Sequence, residues 1–125
     1  MVNYMGKIAF LLMTSPYSFQ NSDTVIKLAQ AAIKAGHEVT GIYLYTDGVY
    51  NNVNSIKPSD DRDRNIADLF KELAKKGIPV VSCPICAEYR GTHNKDMLVE
   101  GTNFDGLGAL SEFVEDSDRI LIFTA

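Results

Sequence analysis

The chain has 125 residues, of which 46% are hydrophobic, and a net charge of -4 at pH 7. These values predict one globular domain over residues 1–125, and the absence of a Lys/Arg cluster argues against direct nucleic-acid binding. No apolar run approaches the roughly 20 residues that cross a bilayer and no secretion signal is recognisable, so we expect a cytoplasmic protein without membrane contact. Residues 1–6 are expected to form a flexible tail.

The first predicted elements are a strand, a helix and a second strand. Lys7–Met13 is almost wholly apolar and precedes a hydroxyl-rich turn, which is typical of a strand buried on both faces. A helix with apolar residues at a spacing of about 3.6 follows. We expect it to be capped by Asn21 or Ser22 and ended by Gly36. Val39–Tyr45 is the second predicted strand.

The middle of the chain predicts a loop, a helix and a third strand. The polar stretch Thr46–Asp60 indicates a long loop, and loops of that length are often functional. A second helix is expected over Asp61–Lys76, with lysines in its last turn and Gly77 as its stop. The apolar run Ile78–Val81 is the third strand and leads into Cys83.

The remaining elements are shorter. Residues 84–90 are expected to form a short helix closed by Gly91, and one helical turn is predicted around Met97–Glu100. Apolar residues at helical spacing over 107–114 indicate a third main helix. Arg119–Phe123 is predicted as a final buried strand.

Strands that alternate with helices predict an α/β fold. We expect a three-layer α/β/α domain with a mostly parallel, doubly wound sheet of four or five strands and right-handed crossovers. Working sites in such sheets lie beyond the carboxyl ends of the strands. The loops after Met13 and Tyr45 are therefore expected to meet Cys83 at one edge of the molecule.

Both cysteines stand in the motif Cys83-Pro84-Ile85-Cys86, directly after the third predicted strand. A thiol at a helix start receives backbone N–H groups and the positive end of the helix dipole, and both favour the thiolate. Pro84 suits the first helical position, and Arg90 supplies a cation within about two helical turns. We expect Cys83 to be an accessible nucleophile; the alternative is a small buried core residue.

Cys86 lies one helical turn further on and has two interpretations. It could attack a disulfide or persulfide on Cys83 as a resolving thiol, or it could pack on the helix face. A zinc site formed by Cys83, Cys86 and His93 would lack a fourth ligand unless Asp96 or a second chain supplied it. We expect no bound metal.

Loop residues at the same edge complete the candidate site. Tyr17, Phe19 and Tyr50 are expected to form a wall beside the thiol or a subunit contact. Thr14–Ser18 could receive a phosphate, as in flavodoxin-type proteins, but it contains no glycine for close backbone approach. A polar loop is the alternative, and we expect no bound cofactor.

Several separated segments occur together over nearly the whole chain: the first strand, the loop Thr46–Asn51, Cys83, Arg90-Gly91 and the segment Gly106–Glu112 before the last strand. This combination resembles the DsrE/TusD (DsrE/F-like) sulfur-relay family. The resemblance implies a small α/β/α domain that assembles into oligomers, often hexamers, of related or identical subunits. It also implies that Cys83 carries sulfur as a persulfide and hands it to the next protein of a relay.

The chain departs from the family pattern beside this cysteine, which is usually followed by small apolar residues. Here Pro84 and the second thiol of Cys86 follow, and a neighbouring thiol could discharge a persulfide as sulfide and leave a disulfide. The main expectation is a sulfurtransferase-type persulfide carrier with donor and acceptor proteins as partners, in a homo- or hetero-oligomeric trimer or hexamer. A CxxC dithiol oxidoreductase or sulfide-releasing reductase is the alternative, and a flavin-binding or non-catalytic partner subunit is a further one.

Overall fold

A computed structural model describes residues 5–125; residues 1–4, most of the predicted tail, lie outside the described part of the chain. One sheet contains the strands β1 (Lys7–Leu12), β2 (Glu38–Leu44), β3 (Val80–Ser82), β4 (Asn103–Phe104) and β5 (Arg119–Phe123). The helices are α1 (Asn21–Lys34), α2 (Ile66–Lys75), α3 (Pro84–Tyr89) and α4 (Leu107–Glu115), with 3-10 turns at Thr46–Tyr50 and Lys95–Met97. None of the helices within residues 5–125 is long and apolar enough to cross a membrane.

The sheet is parallel throughout, with the strand order β4-β3-β2-β1-β5. The chain winds outward from β1 to β4 and then crosses back to place β5 on the other side of β1. Helices pack on both faces, so the predicted three-layer, doubly wound α/β/α fold is confirmed. The carboxyl ends of all strands meet at one edge, as parallel pairing requires.

Two apolar clusters cover the two faces of the sheet. On one face, α1 and α2 pack on β1 to β3 around Phe10, Ile42 and Phe70. On the other face, α3 and α4 pack on a smaller cluster that includes Tyr43 and both cysteines. The thiols therefore lie at the edge of a core, between the sheet and the short helix α3.

The 3-10 turn Thr46–Tyr50, called the cover turn below, replaces the first part of the predicted loop. This turn needs a glycine at position 48, because a Cβ atom there would lie 2.0 Å from the carbonyl oxygen of Leu12 at the end of β1. Asn51, which directly follows the turn, is fully buried. Its amide donates to the carbonyls of Thr14 and Gly48, and its oxygen accepts from Ser22.

Several predicted boundaries were wrong. Gln20 is the residue before α1 and provides no side-chain cap, so Asn21 and Ser22 lie inside the helix. Helix α2 begins at Ile66 rather than near Asp61, because Asn65 caps it by accepting from Asp68 N–H. The short turn near Met97 begins earlier than predicted, and the two-residue strand β4 was not predicted.

The last strand exists as predicted but is not buried. β5 lies at an edge of the sheet beside β1, and 58% of the Ile122 surface is exposed to solvent. Gly6, which was assigned to the tail, donates to His37 Nδ1, and its carbonyl accepts from Glu38 N–H.

Candidate functional site: a buried thiol pair at the tip of β3

Cys83 follows β3 directly and is the residue before α3, as the sequence predicts. Its own N–H donates to the carbonyl of Leu44 on the neighbouring strand, which extends the sheet pairing by one residue. Its Sγ accepts from the N–H of Cys86 at 3.4 Å. The sulfur therefore takes the position of a helix cap, and Pro84 fills the first helical position without losing a hydrogen bond.

Cys86 lies on the inner face of α3, close to Cys83. Its Sγ accepts from the backbone N–H of Thr46 at 3.2 Å. Burial is the main cause that raises the pKa of the Cys86 thiol, and the neighbouring Cys83 sulfur adds to it. The Thr46 N–H and the Arg90 guanidinium act in the opposite direction. The two sulfurs are both reduced.

Both thiols are shielded from solvent. Cys83 retains 4% of its surface and Cys86 retains 9%. The expectation that Cys83 is an openly accessible thiol is therefore wrong for the single chain in this conformation. The cover turn contributes to the shielding, because its Val49 packs in the same apolar cluster as the two cysteines.

Arg90 is held beside Cys86 rather than over Cys83. Its Nε donates to the carboxylate of Asp47 at 2.8 Å, and another guanidinium nitrogen donates to the carbonyl of Cys86 at 3.0 Å. Asp47 belongs to the cover turn, so Arg90 joins that turn to the end of α3. Half-buried Tyr50 also lies near this guanidinium.

Tyr17 contacts the residues at the start of α2. Its hydroxyl accepts from the N–H of Ile66 and donates to the carbonyl of Arg64, both at 3.1 Å. The Arg64 guanidinium lies over the Tyr17 ring and also binds the Asp23 carboxylate. This cluster fastens the loop after β1 to the start of α2. Phe19 stands in the same loop and is exposed.

Two residues of the site were not assigned to it from the sequence. Thr46 has a φ of 49°, a backbone conformation that is uncommon for a residue other than glycine, and it aims its N–H at Cys86. Tyr43 is fully buried, as a core residue was expected to be, and its hydroxyl donates to the carbonyl of Asp105 at 2.9 Å. Neither contact could be predicted from the sequence, because each depends on which strands are neighbours in the sheet.

Two ligand-binding alternatives concern the polar residues near the thiols, a metal ion and a phosphate. Among residues 5–125, no group of three or more His, Cys, Asp or Glu side chains converges to hold a metal ion. In the segment Thr14–Ser18, the Thr14 hydroxyl accepts from Asn21 and its carbonyl accepts from Asn51. The distinctive chemistry of this edge is therefore that of a sulfur pair with backbone donors.

The fold and the site define a class: small α/β/α domains with a cysteine at the tip of an inner strand. The DsrE/DsrF-like family model matches residues 6–123. The chain is 33% identical over 128 residues to a DsrE protein of Allochromatium vinosum that is provisionally named a sulfurtransferase, covering 94% of this chain and 98% of the relative. An uncharacterised protein of Methanopyrus kandleri is 28% identical, with 93% of both chains covered.

Solved structures share the same architecture. The crystal structure of the YchN protein from E. coli superposes with a TM-score of 0.84 at 24% identity, covering 95% of this chain and all of that one. A protein of unknown function from Methanobacterium thermoautotrophicum superposes with a TM-score of 0.68 at 18% identity, covering 94% and 99%. The chain belongs to the DsrE/DsrF-like family, which supports its assignment to the sulfur-relay proteins.

Proposed function

We propose that the protein carries sulfane sulfur as a persulfide on Cys83 and passes it to a partner protein. The observation that carries this proposal is the position of Cys83, whose sulfur caps α3 at the tip of β3 and accepts a backbone N–H. Backbone donors favour an anionic sulfur, which is the form that attacks and the form in which a persulfide is stored at neutral pH.

The loading step needs no cofactor. The Cys83 thiolate attacks the outer sulfur of a donor persulfide; a new sulfur–sulfur bond forms on Cys83, and the donor leaves as its own thiolate. In the second step an acceptor thiolate attacks the outer sulfur on Cys83, and Cys83 leaves as a thiolate. No net oxidation occurs in either step, because the sulfane sulfur is only transferred.

Access to Cys83 requires the cover turn and α3 to separate. The ion pair between Arg90 and Asp47 joins them, and both side chains are partly exposed. Exposed pairs of this kind contribute about 1 kcal/mol or less. A partner that competes for either charge could therefore open the site at small cost, and the closed form protects the stored sulfur from solvent.

A second candidate function, sulfide release, is favoured by the closeness of Cys86. The Cys86 thiolate would attack the inner sulfur of a Cys83 persulfide, forming a disulfide between Cys83 and Cys86 and expelling hydrosulfide. The hydrogen bond from Cys86 N–H to Cys83 Sγ shows that the two residues are close in the reduced protein. A cellular thiol would then have to reduce the disulfide.

Mass spectrometry after treatment with a persulfide donor tests both functions. A carrier gains the mass of one sulfur atom on a peptide that contains Cys83, and an acceptor thiol removes it. A sulfide-releasing protein instead loses two protons and liberates hydrosulfide in equal amount. A wild-type protein that shows neither change would contradict the proposal.

We also propose a cytoplasmic location, which keeps both thiols reduced.

We further propose that the chain works as an oligomer, a trimer or hexamer. Several apolar side chains are exposed on or near the face of the sheet that carries α3 and α4: Ile85, Tyr89, Leu107, Val114 and Ile122. Exposed apolar surface beyond scattered single residues indicates a contact with another protein. Tyr89, which retains 85% of its surface, stands at the end of the thiol-bearing helix.

The oligomer proposal predicts a mass in solution that depends on this face. Light scattering during gel filtration is expected to give three or six chains for the wild type. The double variant Tyr89→Glu and Ile122→Lys is expected to run as a smaller species, because a charge cannot be buried there without a partner. The matched control Leu28→Glu, on the exposed side of α1, should keep the wild-type mass. A monomeric wild type would refute the proposal.

A further inference from the structure

The Tyr43 hydroxyl lies at the base of the thiol site. Tyr43 lies in β2 and pairs with Val81 of β3, which is two residues before Cys83. The Tyr43 ring belongs to the same buried cluster as both cysteines. Its hydroxyl donates to the carbonyl of Asp105 at 2.9 Å, just beyond β4. Burial, followed by the nearby charge of the Cys83 sulfur, raises the pKa of Tyr43. The phenol therefore stays protonated at neutral pH and can act as a donor.

One proton serves two neighbouring acceptors. A phenol has a single O–H and can also accept a hydrogen bond. While Cys83 is a thiol, the O–H donates to the Asp105 carbonyl. The Cys83 side chain is also a hydrogen-bonding neighbour of the phenol. Once Cys83 is ionised, its sulfur competes for the O–H as a charged acceptor, and hydrogen bonds to charged groups are the stronger kind.

We propose that Tyr43 is a hydrogen-bond donor to the reacting sulfur, whose O–H turns from the Asp105 carbonyl to Cys83 when that sulfur becomes a thiolate. This inference rests on the proposed function in taking Cys83 as the sulfur carrier. The contact would act at both steps of the relay. It stabilises the attacking thiolate during loading, and it stabilises the Cys83 thiolate that leaves when an acceptor takes the outer sulfur. The proton remains on the phenol throughout.

The test compares Tyr43→Phe with Tyr45→Phe in a Cys86→Ser background, where Cys83 is the single thiol. The rate of Cys83 alkylation by iodoacetamide is measured against pH. Tyr43→Phe is expected to move the midpoint upward by about one pH unit, so that alkylation near neutral pH slows about tenfold, with an unchanged rate at high pH. Tyr45, whose ring packs on Tyr43 at 6.2 Å between centroids, should give a wild-type midpoint when replaced.

A purely structural role gives a different result. In that case Tyr43→Phe lowers the melting temperature and leaves the alkylation midpoint unchanged, which would overturn the inference. If that variant does not fold, tyrosine labelled at its ζ carbon is followed by NMR in the protein with Tyr43 intact. Its Tyr43 signal should shift with the Cys83 midpoint, and a signal that stays constant would equally overturn the inference. Alkylation needs no sulfur donor, so this outcome is independent of whether the wild type loads sulfur.

Discussion

Cys83→Ser is expected to reduce sulfur loading from a persulfide donor at least about a hundredfold, because a hydroxyl is not ionised near neutral pH and cannot replace the attacking thiolate. The serine oxygen can still accept from Cys86 N–H, so the cap of α3 and the fold should persist. Loading is measured by intact-protein mass spectrometry, and circular dichroism checks the fold.

Cys86→Ser is the matched control, since it removes the other sulfur of the pair and leaves Cys83 intact. It is expected to load as fully as the wild type and to hold the sulfur longer, because no adjacent thiol remains to expel hydrosulfide. The serine hydroxyl can take over the hydrogen bond from Thr46 N–H. Persistent loading of Cys83→Ser, with the added sulfur on Cys86, would contradict the assignment of the carrier.

Gly48→Ala is expected to lower the free energy of unfolding by about 3 kcal/mol, near the upper end of overpacking costs. A Cβ atom at this position would lie 2.0 Å from the Leu12 carbonyl oxygen, which already accepts from Tyr45 N–H. Backbone cannot move aside as a flexible side chain can, so the cover turn must shift. Urea denaturation measures the loss. The same variant should speed alkylation of both native thiols, because Thr46 and Val49 belong to that turn.

Gly108→Ala is the corresponding control in α4. Apart from the adjacent residues and the helix's own backbone, no atom lies within 4 Å of the added methyl group. The variant should therefore be as stable as the wild type or gain about 0.5–1 kcal/mol from better helix propensity. An unchanged urea midpoint for Gly48→Ala would show that the turn relaxes freely and does not hold the thiols closed.

The fold could be predicted largely because its signals are local. Apolar runs without alternation indicate strands buried on both faces, and Gly36, Gly77 and Gly91 all adopt the positive φ expected after a helix. The features that could not be predicted depend on contacts between residues that are distant in sequence. β4 has only two residues, and Asn51 is a polar loop residue that is buried because Ser22 and two backbone carbonyls satisfy it. Neither feature leaves a periodic pattern.

The site likewise has a part that the sequence predicts and a part that depends on contacts distant in sequence. The sequence predicts that Cys83 lies at the start of α3 and that Cys86 lies close to it, because the two residues are three positions apart at the start of a helix. The donors from Thr46 and Tyr43 come from the adjacent strand β2 and its loop, so they depend on strand order. The contacts of Tyr17 could not be predicted for a related reason: its hydroxyl bonds to the backbone at the start of α2, which is distant in sequence.

The position of β1 has a consequence for biosynthesis. β1 is flanked by β2 and by β5, and Lys7 N–H bonds to the Asp118 carboxylate across 111 residues of chain. Translation must therefore pass residue 123 before the first strand gains its second neighbour. Such distant pairing slows the search for the native state, and until it is complete the nascent chain presents an unsatisfied, aggregation-prone ladder that chaperones would have to shield.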